Sequence, residues 1–181
     1  VLLFGAMDGS ADPRKGFDLL LPALEQLQDC VLVVLGQRQP RERPPLTLPL
    51  RYLGRFHDDL SLALIYAAVD LVVVPSRLDN LPQSATEPLA CGTPVIAFDA
   101  GGIPEYVRHL ETGLLAQCGD ASDLGRQILC LANQSSLLEK MGRAGRVMME
   151  EEFALEIQAE RYLHLYQKIA SDKKSFRKRI A

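Results

Sequence analysis

The sequence predicts an α/β fold: a doubly wound parallel sheet of about six strands, followed by a helical C-terminal region. Three observations predict it. Short apolar, β-branched runs at Val1–Gly5, Cys30–Gln37 and Asp70–Ser76 are continuous rather than alternating, the pattern of strands buried on both faces. Segments of helical periodicity lie between most of these runs, as a parallel sheet with crossovers requires. From Ala121 to Ala170 the pattern is almost wholly helical, broken near Asn133 and around Glu152.

The elements follow in order. After the first strand, a polar loop with Gly, Asp and Pro leads to Arg14-Lys15-Gly16 at the mouth of an amphipathic helix, with Phe17, Leu20, Leu21 and Leu24 on one side. The second strand is Cys30–Gln37. Residues 37–49, with four prolines and three arginines, read as a polar loop. Leu50–His57 is the third strand and its exit, and a helix from about Asp58 to Val69 follows. Asp70–Ser76 is the fourth strand. Ala90–Phe98 contains a helix end, the tight turn Cys91-Gly92-Thr93-Pro94 and the fifth strand. Gly101-Gly102 opens a second glycine-rich turn before a short helix, and Gly113–Ala116 is a last short strand. No internal repeat or low-complexity segment is visible.

The most informative stretch is Pro75–Gly102. It places two carboxylates, Asp79 and Glu87, separated by seven residues, around a turn that opens a helix, at the carboxyl end of the fourth strand. In open α/β sheets ligands bind at that edge, where loop amides and the positive end of a helix face an anion. Phosphate suits it. Each acid also has a plainer reading: Asp79 as a helix N-cap or Asx-turn residue, Glu87 as a solvated helix residue.

These residues resemble the donor-binding motif of family 4 retaining glycosyltransferases, which use sugar nucleotides and have two Rossmann-like domains, the GT-B architecture. In that family two acids seven residues apart, usually both Glu, precede Ala-x-Ala-Cys-Gly-x-Pro-Val or a close variant. Here Asp79 stands for the first Glu, Asn80-Leu81-Pro82 for the usual glycine-containing turn, and Pro88-Leu89-Ala90-Cys91-Gly92-Thr93-Pro94 follows Glu87. The resemblance implies that Glu87 holds the ribose hydroxyls, that Asp79 holds hydroxyls of the transferred sugar, and that the amides around Asn80 and Leu81 face the sugar or the diphosphate. Lys15 matches a Lys-Gly lysine that neutralises the leaving diphosphate, while Ala6 occupies the position of a second cation, the usual Arg. Arg14, beside Lys15, is the candidate substitute; a solvated loop pair is the plainer reading of both. Gly54-Arg55-Phe56 corresponds to a strand exit that contacts the nucleotide base, although Arg55 also reads as an ordinary surface residue. Gly101 and Gly102 resemble a glycine turn close to the donor, which a packing turn explains about as well.

Composition bounds the rest. At 181 residues and 48% apolar character the chain can bury one sizeable core. Residues 172–181 carry five cations and one acid, a net +4, so the −3 of the whole chain leaves −7 on residues 1–171. An acidic body does not suit a nucleic-acid binder. Cysteines 30, 91, 118 and 130 show no metal or disulfide spacing, and His57, His109 and His164 fall in no triad or metal spacing. No signal peptide or bilayer-spanning apolar run appears.

The resulting expectation is a Rossmann-like domain over residues 1–171 and a basic tail over 172–181. The domain would be the donor-binding half of a retaining glycosyltransferase whose acceptor-binding N-terminal domain is missing, since the chain begins inside a strand without an initiator Met. A nucleoside diphosphate sugar is the expected donor, with no cofactor and no metal, because cations and helix amides supply the positive charge. The intact protein would be the enzyme, and this domain alone would bind nucleotide and turn over little or nothing. A non-catalytic sugar-nucleotide-binding or scaffold domain is the alternative. A nicotinamide-dependent enzyme is excluded, for the first strand is not followed by Gly-x-Gly-x-x-Gly. A cytoplasmic location is expected, with the basic run either touching anionic lipid at the inner membrane face or forming a solvated end.

Overall fold

A computed structural model describes residues 1–5, 12–42 and 44–180, with side chains described through residue 171. The six expected strands are present: β1 (Leu2–Gly5), β2 (Leu32–Leu35), β3 (Leu50–Gly54), β4 (Leu71–Val74), β5 (Val95–Phe98) and β6 (Gly113–Ala116). They form one parallel sheet in the order β3-β2-β1-β4-β5-β6. The crossovers carry α1 (Phe17–Ala23), α2 (Asp59–Ala67) and α3 (Gln83–Ala90), and β6 is followed by α4 (Ala121–Ala132), α5 (Ser135–Glu152) and α6 (Leu155–Ile180). The short helix expected after Gly101-Gly102 is a single 3-10 turn, Ile103–Glu105.

Alternation along each strand explains why the runs are apolar throughout. Leu2, Phe4, Leu32, Val34, Leu71, Val73, Ile96 and Phe98 join Phe17 and Leu20 of α1 and Leu124 and Ile128 of α4 in one core. Their neighbours Leu3, Val33, Val72, Val74, Val95 and Ala97 are buried on the other face of the sheet, where α2 and α3 pack and place Tyr66, Ala85 and Leu89. Each fully buried Leu, Val or Phe contributes roughly 1.5–3 kcal/mol. β3 lies at the edge, and there alone the pattern alternates, with Arg51 and Leu53 exposed.

Aspartates start two of the helices. Asp58 accepts from the Ser61 amide at 2.8 Å and Asp120 from the Asp123 amide at 2.9 Å, each satisfying an orphan donor of the first turn. α3 starts instead at Pro82 with no side-chain cap, which leaves the positive end of the helix available.

By internal contacts the chain divides into Val1–Val147, which holds the sheet and its covering helices, and Met148–Ala181. The division expected at 171/172 falls inside α6, whose backbone is helical to Ile180. The side chains of the basic run lie outside the described residues, as does Ala6. No helix among the described residues is long and apolar enough to cross a membrane.

Candidate functional site

The sheet order reverses between β1 and β4, one leading outward to β2 and the other to β5. The carboxyl ends of these two strands therefore open a crevice, and two loop segments meet there. The first contains the 3-10 turn Pro13–Lys15, which Asp12 opens by accepting from the Arg14 amide at 2.9 Å. Gly16 closes the turn at φ 68° and also starts α1. A Cβ at Gly16 would lie 1.8 Å from the Pro75 carbonyl oxygen, so the missing side chain lets the turn lie directly against the exit of β4.

The second segment grips the first. The Arg77 amide donates to the Arg14 carbonyl at 2.8 Å, and the Arg77 guanidinium donates to both Asp18 carboxylate oxygens, at 2.8 and 2.6 Å, and to the Pro13 carbonyl. The hydrogen bond from Arg77 holds the Asp18 carboxyl below its ordinary value. Two residues further on, Asp79 Oδ2 accepts from Lys15 Nζ at 2.7 Å, with side chains 17% and 29% exposed.

Asp79 is thus an ion-pair partner and not a helix cap. It keeps the Asx-turn character, accepting a long 3.3 Å bond from the Leu81 amide, while Pro82 occupies the cap position of α3. Its loop rests on the second glycine turn. The Gly102 amide donates to the Asp79 carbonyl at 3.0 Å, and a Cβ at Gly101 or Gly102 would come within 2.2 Å of the Asp79 oxygen or 2.1 Å of the Asn80 oxygen. Gly101 and Gly102 therefore shape the loop that carries Asp79 without lining the cleft.

Glu87 stands one turn along α3 from Gln83, on the same helix face. Its carboxylate meets the hydroxyl of Tyr66 from α2. Burial pushes the Tyr66 phenol well above its ordinary value, and the Glu87 charge and hydrogen bond push it further. The phenol therefore stays protonated through the neutral range, a donor facing Glu87. Tyr66→Phe removes that donor while keeping the ring in the core. The expected result is a loss of about 1–2 kcal/mol in stability by thermal melting, with Glu87 freed to reorient; an unchanged melt would show that the hydroxyl contributes nothing.

The cleft encloses about 570 Å³, within the range of small-molecule sites. Lys15, Asp79 and Glu87 line it together with Gly5, Leu35, Gly36, Arg55, Phe56, Leu62, Tyr66, Leu81, Pro82, Gln83 and Ser84. Lys15, Asp79 and Glu87 sit on the β1 and β4 side, and the β2 and β3 exits supply Leu35, Gly36 and Phe56 together with Arg55, whose Nε donates to the Gly36 carbonyl at 3.3 Å. Gly54 ends β3 just outside the wall, its carbonyl accepting from the Gly36 amide at 2.7 Å. Arg14 and Asn80 border a second, smaller space of about 440 Å³, which the Lys15–Asp79 pair also lines. Arg14 is bound there by Asp12, at 3.1 and 2.8 Å, and is 70% exposed.

The structure thus brings Lys15, Asp79, Glu87, Leu81, Arg55 and Phe56 to one cleft, places Arg14 and Asn80 beside it, and puts Gly54, Gly101 and Gly102 behind it. Tyr66, Arg77 and Asp18 were missed by sequence reasoning, which pointed to the start of the helix after Asp79 without naming Gln83 and Ser84. No group of three metal-ligating side chains occurs among the described residues. The four cysteines are free, and burial raises the thiols of Cys30 and Cys91 above their ordinary value.

The family model described as "Glycosyl transferases group 1" matches residues 6–148. A GDP-mannose-dependent monoacylated alpha-(1-6)-phosphatidylinositol monomannoside mannosyltransferase from Corynebacterium glutamicum is 31% identical over 172 residues, which cover 86% of this chain and 44% of that protein. The solved sucrose-phosphate synthase of Thermosynechococcus elongatus is similar with a TM-score of 0.82 at 28% identity, over 94% of this chain and 46% of the other. Anabaena HepE, crystallised in complex with UDP-glucose, shares the fold at a TM-score of 0.72 and 22% identity, over 96% of this chain and 48% of its own. The chain spans about half the length of these proteins. Its fold is that of the C-terminal domain of GT-B glycosyltransferases.

Proposed function

The chain belongs to the group 1 glycosyl transferases, and from that premise we propose that it is the donor-binding half of a retaining transferase using a nucleoside diphosphate sugar. The observation that carries the reading is the placement of Lys15 and Glu87 in one cleft at the switch point of the sheet, with Leu35, Phe56 and Arg55 opposite. A nucleotide has the matching polarity: a flat base, a diol and a diphosphate.

In this reading the base lies against Arg55 and Phe56, and the Glu87 carboxylate accepts from the two ribose hydroxyls. The diphosphate meets Lys15 and the uncapped start of α3, where free amides and the helix dipole favour an anion. Asp79, with Asn80 beside it, orients the hydroxyls of the transferred sugar. Transfer goes to a hydroxyl acceptor held by the N-terminal half of the longer protein. It needs no metal ion, since a cation and oriented amides meet the charge that develops on the leaving diphosphate. HepE, whose solved complex contains UDP-glucose, supports the ligand class by analogy.

Isothermal titration with UDP, GDP and ADP tests this. One nucleotide is expected to bind saturably, and Glu87→Ala to weaken it by about tenfold, the value of hydrogen bonds to a charged group. The 2′-deoxy form of that nucleotide should bind the parent chain more weakly and the Glu87→Ala chain no differently from the ribo form. A folded sample that binds none of the three would sink the reading.

A further inference from the structure

Lys15 has a flexible four-carbon stem, so where its ammonium lies depends on the backbone that carries it. That backbone is a single 3-10 turn, whose own closing bond, from the Gly16 amide to the Pro13 carbonyl, is long at 3.3 Å. Beside the local bonds of the Lys15 and Arg14 amides to Asp12, at 3.0 and 2.9 Å, a second hold comes from 59 to 64 residues away. One guanidinium binds the Pro13 carbonyl, two residues before Lys15, and both oxygens of Asp18, three residues after it. The same residue's amide binds the carbonyl of Arg14. Lys15 is bracketed on both sides. Asp79, its partner across the cleft, follows Arg77 by two residues, so the cation and the carboxylate are registered against one side chain.

We infer that the Arg77–Asp18 clamp is a positioning pair that sets the height of Lys15 over the cleft and thereby the affinity for a diphosphate. The inference rests on the donor-site reading above. Arg77 does not line the cleft, so it acts through Lys15 and not on the ligand. The two side chains are 33% and 63% exposed, and ion pairs so placed add little to stability. A role in stability alone does not account for a three-acceptor clamp at this spot. The bidentate fork is a geometric device, which a lysine of equal charge cannot reproduce.

The test compares diphosphate with nucleoside in the whole chain: UDP, GDP and ADP by calorimetry, and uridine, guanosine and adenosine by NMR titration. Arg77→Ala and Arg77→Lys are each expected to weaken the bound diphosphate by about tenfold, to leave the nucleoside unchanged, and to shift the melting midpoint by less than about 3 °C. The reversed pair R77D/D18R should recover the diphosphate to within about threefold of the parent, because an arginine fork then faces a carboxylate again. Should Arg77→Ala not fold, Asp18→Asn is read in the same way. Arg77→Lys binding like the parent would leave only charge at work and overturn the inference. Equal losses for nucleoside and diphosphate would overturn it too, as would a reversed pair without recovery. If the parent binds no nucleotide at all, the donor-site reading fails and this inference with it. If the parent binds and the Arg77 variants bind equally well, this inference alone fails.

Discussion

Gly16→Ala is expected to lower the melting midpoint by about 12 °C and to abolish nucleoside diphosphate binding, though it adds only one methyl group, at a buried glycine. Two costs coincide there. The residue sits at φ 68°, a conformation that charges a side chain about 1–2 kcal/mol. The added carbon would also lie 1.8 Å from the Pro75 carbonyl oxygen and 2.8 Å from its carbon, atoms of a backbone fixed by β4. Either the Pro13–Lys15 turn lifts off the β4 exit, losing the Arg77 contacts, or β4 shifts and strains the centre of the sheet. The sum is about 4 kcal/mol, and each kcal/mol is worth roughly 3 °C in a chain of this size. Gly54→Ala is the control. Its φ is 77°, but no atom lies within 4 Å of the added carbon, so only the conformational cost of about 1 kcal/mol and about 3 °C remains. A Gly16→Ala melt as mild as that of Gly54→Ala would show that the turn does not depend on its close approach to Pro75.

The contrast between those two glycines also marks where the sequence is legible. Strands β2, β4 and β5 are readable because both of their faces are buried, which leaves four apolar residues in a row between turn residues. Asp79 and Glu87 are readable because their spacing is local, eight positions along one loop and helix. Tyr66 is not, since nothing near it in sequence says that its hydroxyl meets a carboxylate on the next helix; an aromatic with a polar tip, placed between apolar residues just ahead of β4, is the only hint. Arg77 carries no hint at all, because Asp18 lies 59 residues earlier. For Gly101 and Gly102 the sequence leaves a ligand-facing turn and a packing turn open. Contact with the Asp79 and Asn80 carbonyls makes them a packing turn, one that packs the loop bearing the site. Arg14 shows the opposite limit: as a second cation it looks free in the motif, and a carboxylate two residues away binds it.

Lys15→Ala is expected to weaken the diphosphate by about 30-fold in this chain and, in the proposed full-length transferase, to lower kcat by about 10²- to 10³-fold. Among the described residues Lys15 and Arg55 are the cations on the cleft wall, and Arg55 lies at the end formed by the β2 and β3 exits. A unit charge about 4 Å from a phosphate oxygen is worth roughly 4 kcal/mol at the effective dielectric near a protein surface. Asp79 already neutralises part of that charge at 2.7 Å, so about 2 kcal/mol is a fairer figure for the bound nucleotide, which gives the 30-fold. The kinetic effect is larger because the diphosphate gains negative charge as the glycosidic bond breaks, and the lysine then acts on a charge absent from the ground state. The substitution has a second consequence. It leaves the Asp79 carboxylate, only 17% exposed, without its cation and facing the phosphates. Removing that charge as well, in Lys15→Ala with Asp79→Asn, should therefore bind diphosphate more tightly than Lys15→Ala alone, although both bind more weakly than the parent. Nucleoside affinity should not move in either variant, because the proposed reading puts base and ribose at the other end. A calorimetric series in which the single and double variants bind alike would mean that Asp79 does not feel the diphosphate. Diphosphate affinity within twofold of the parent after Lys15→Ala would mean that the lysine is held by Asp79 and never turns to the ligand.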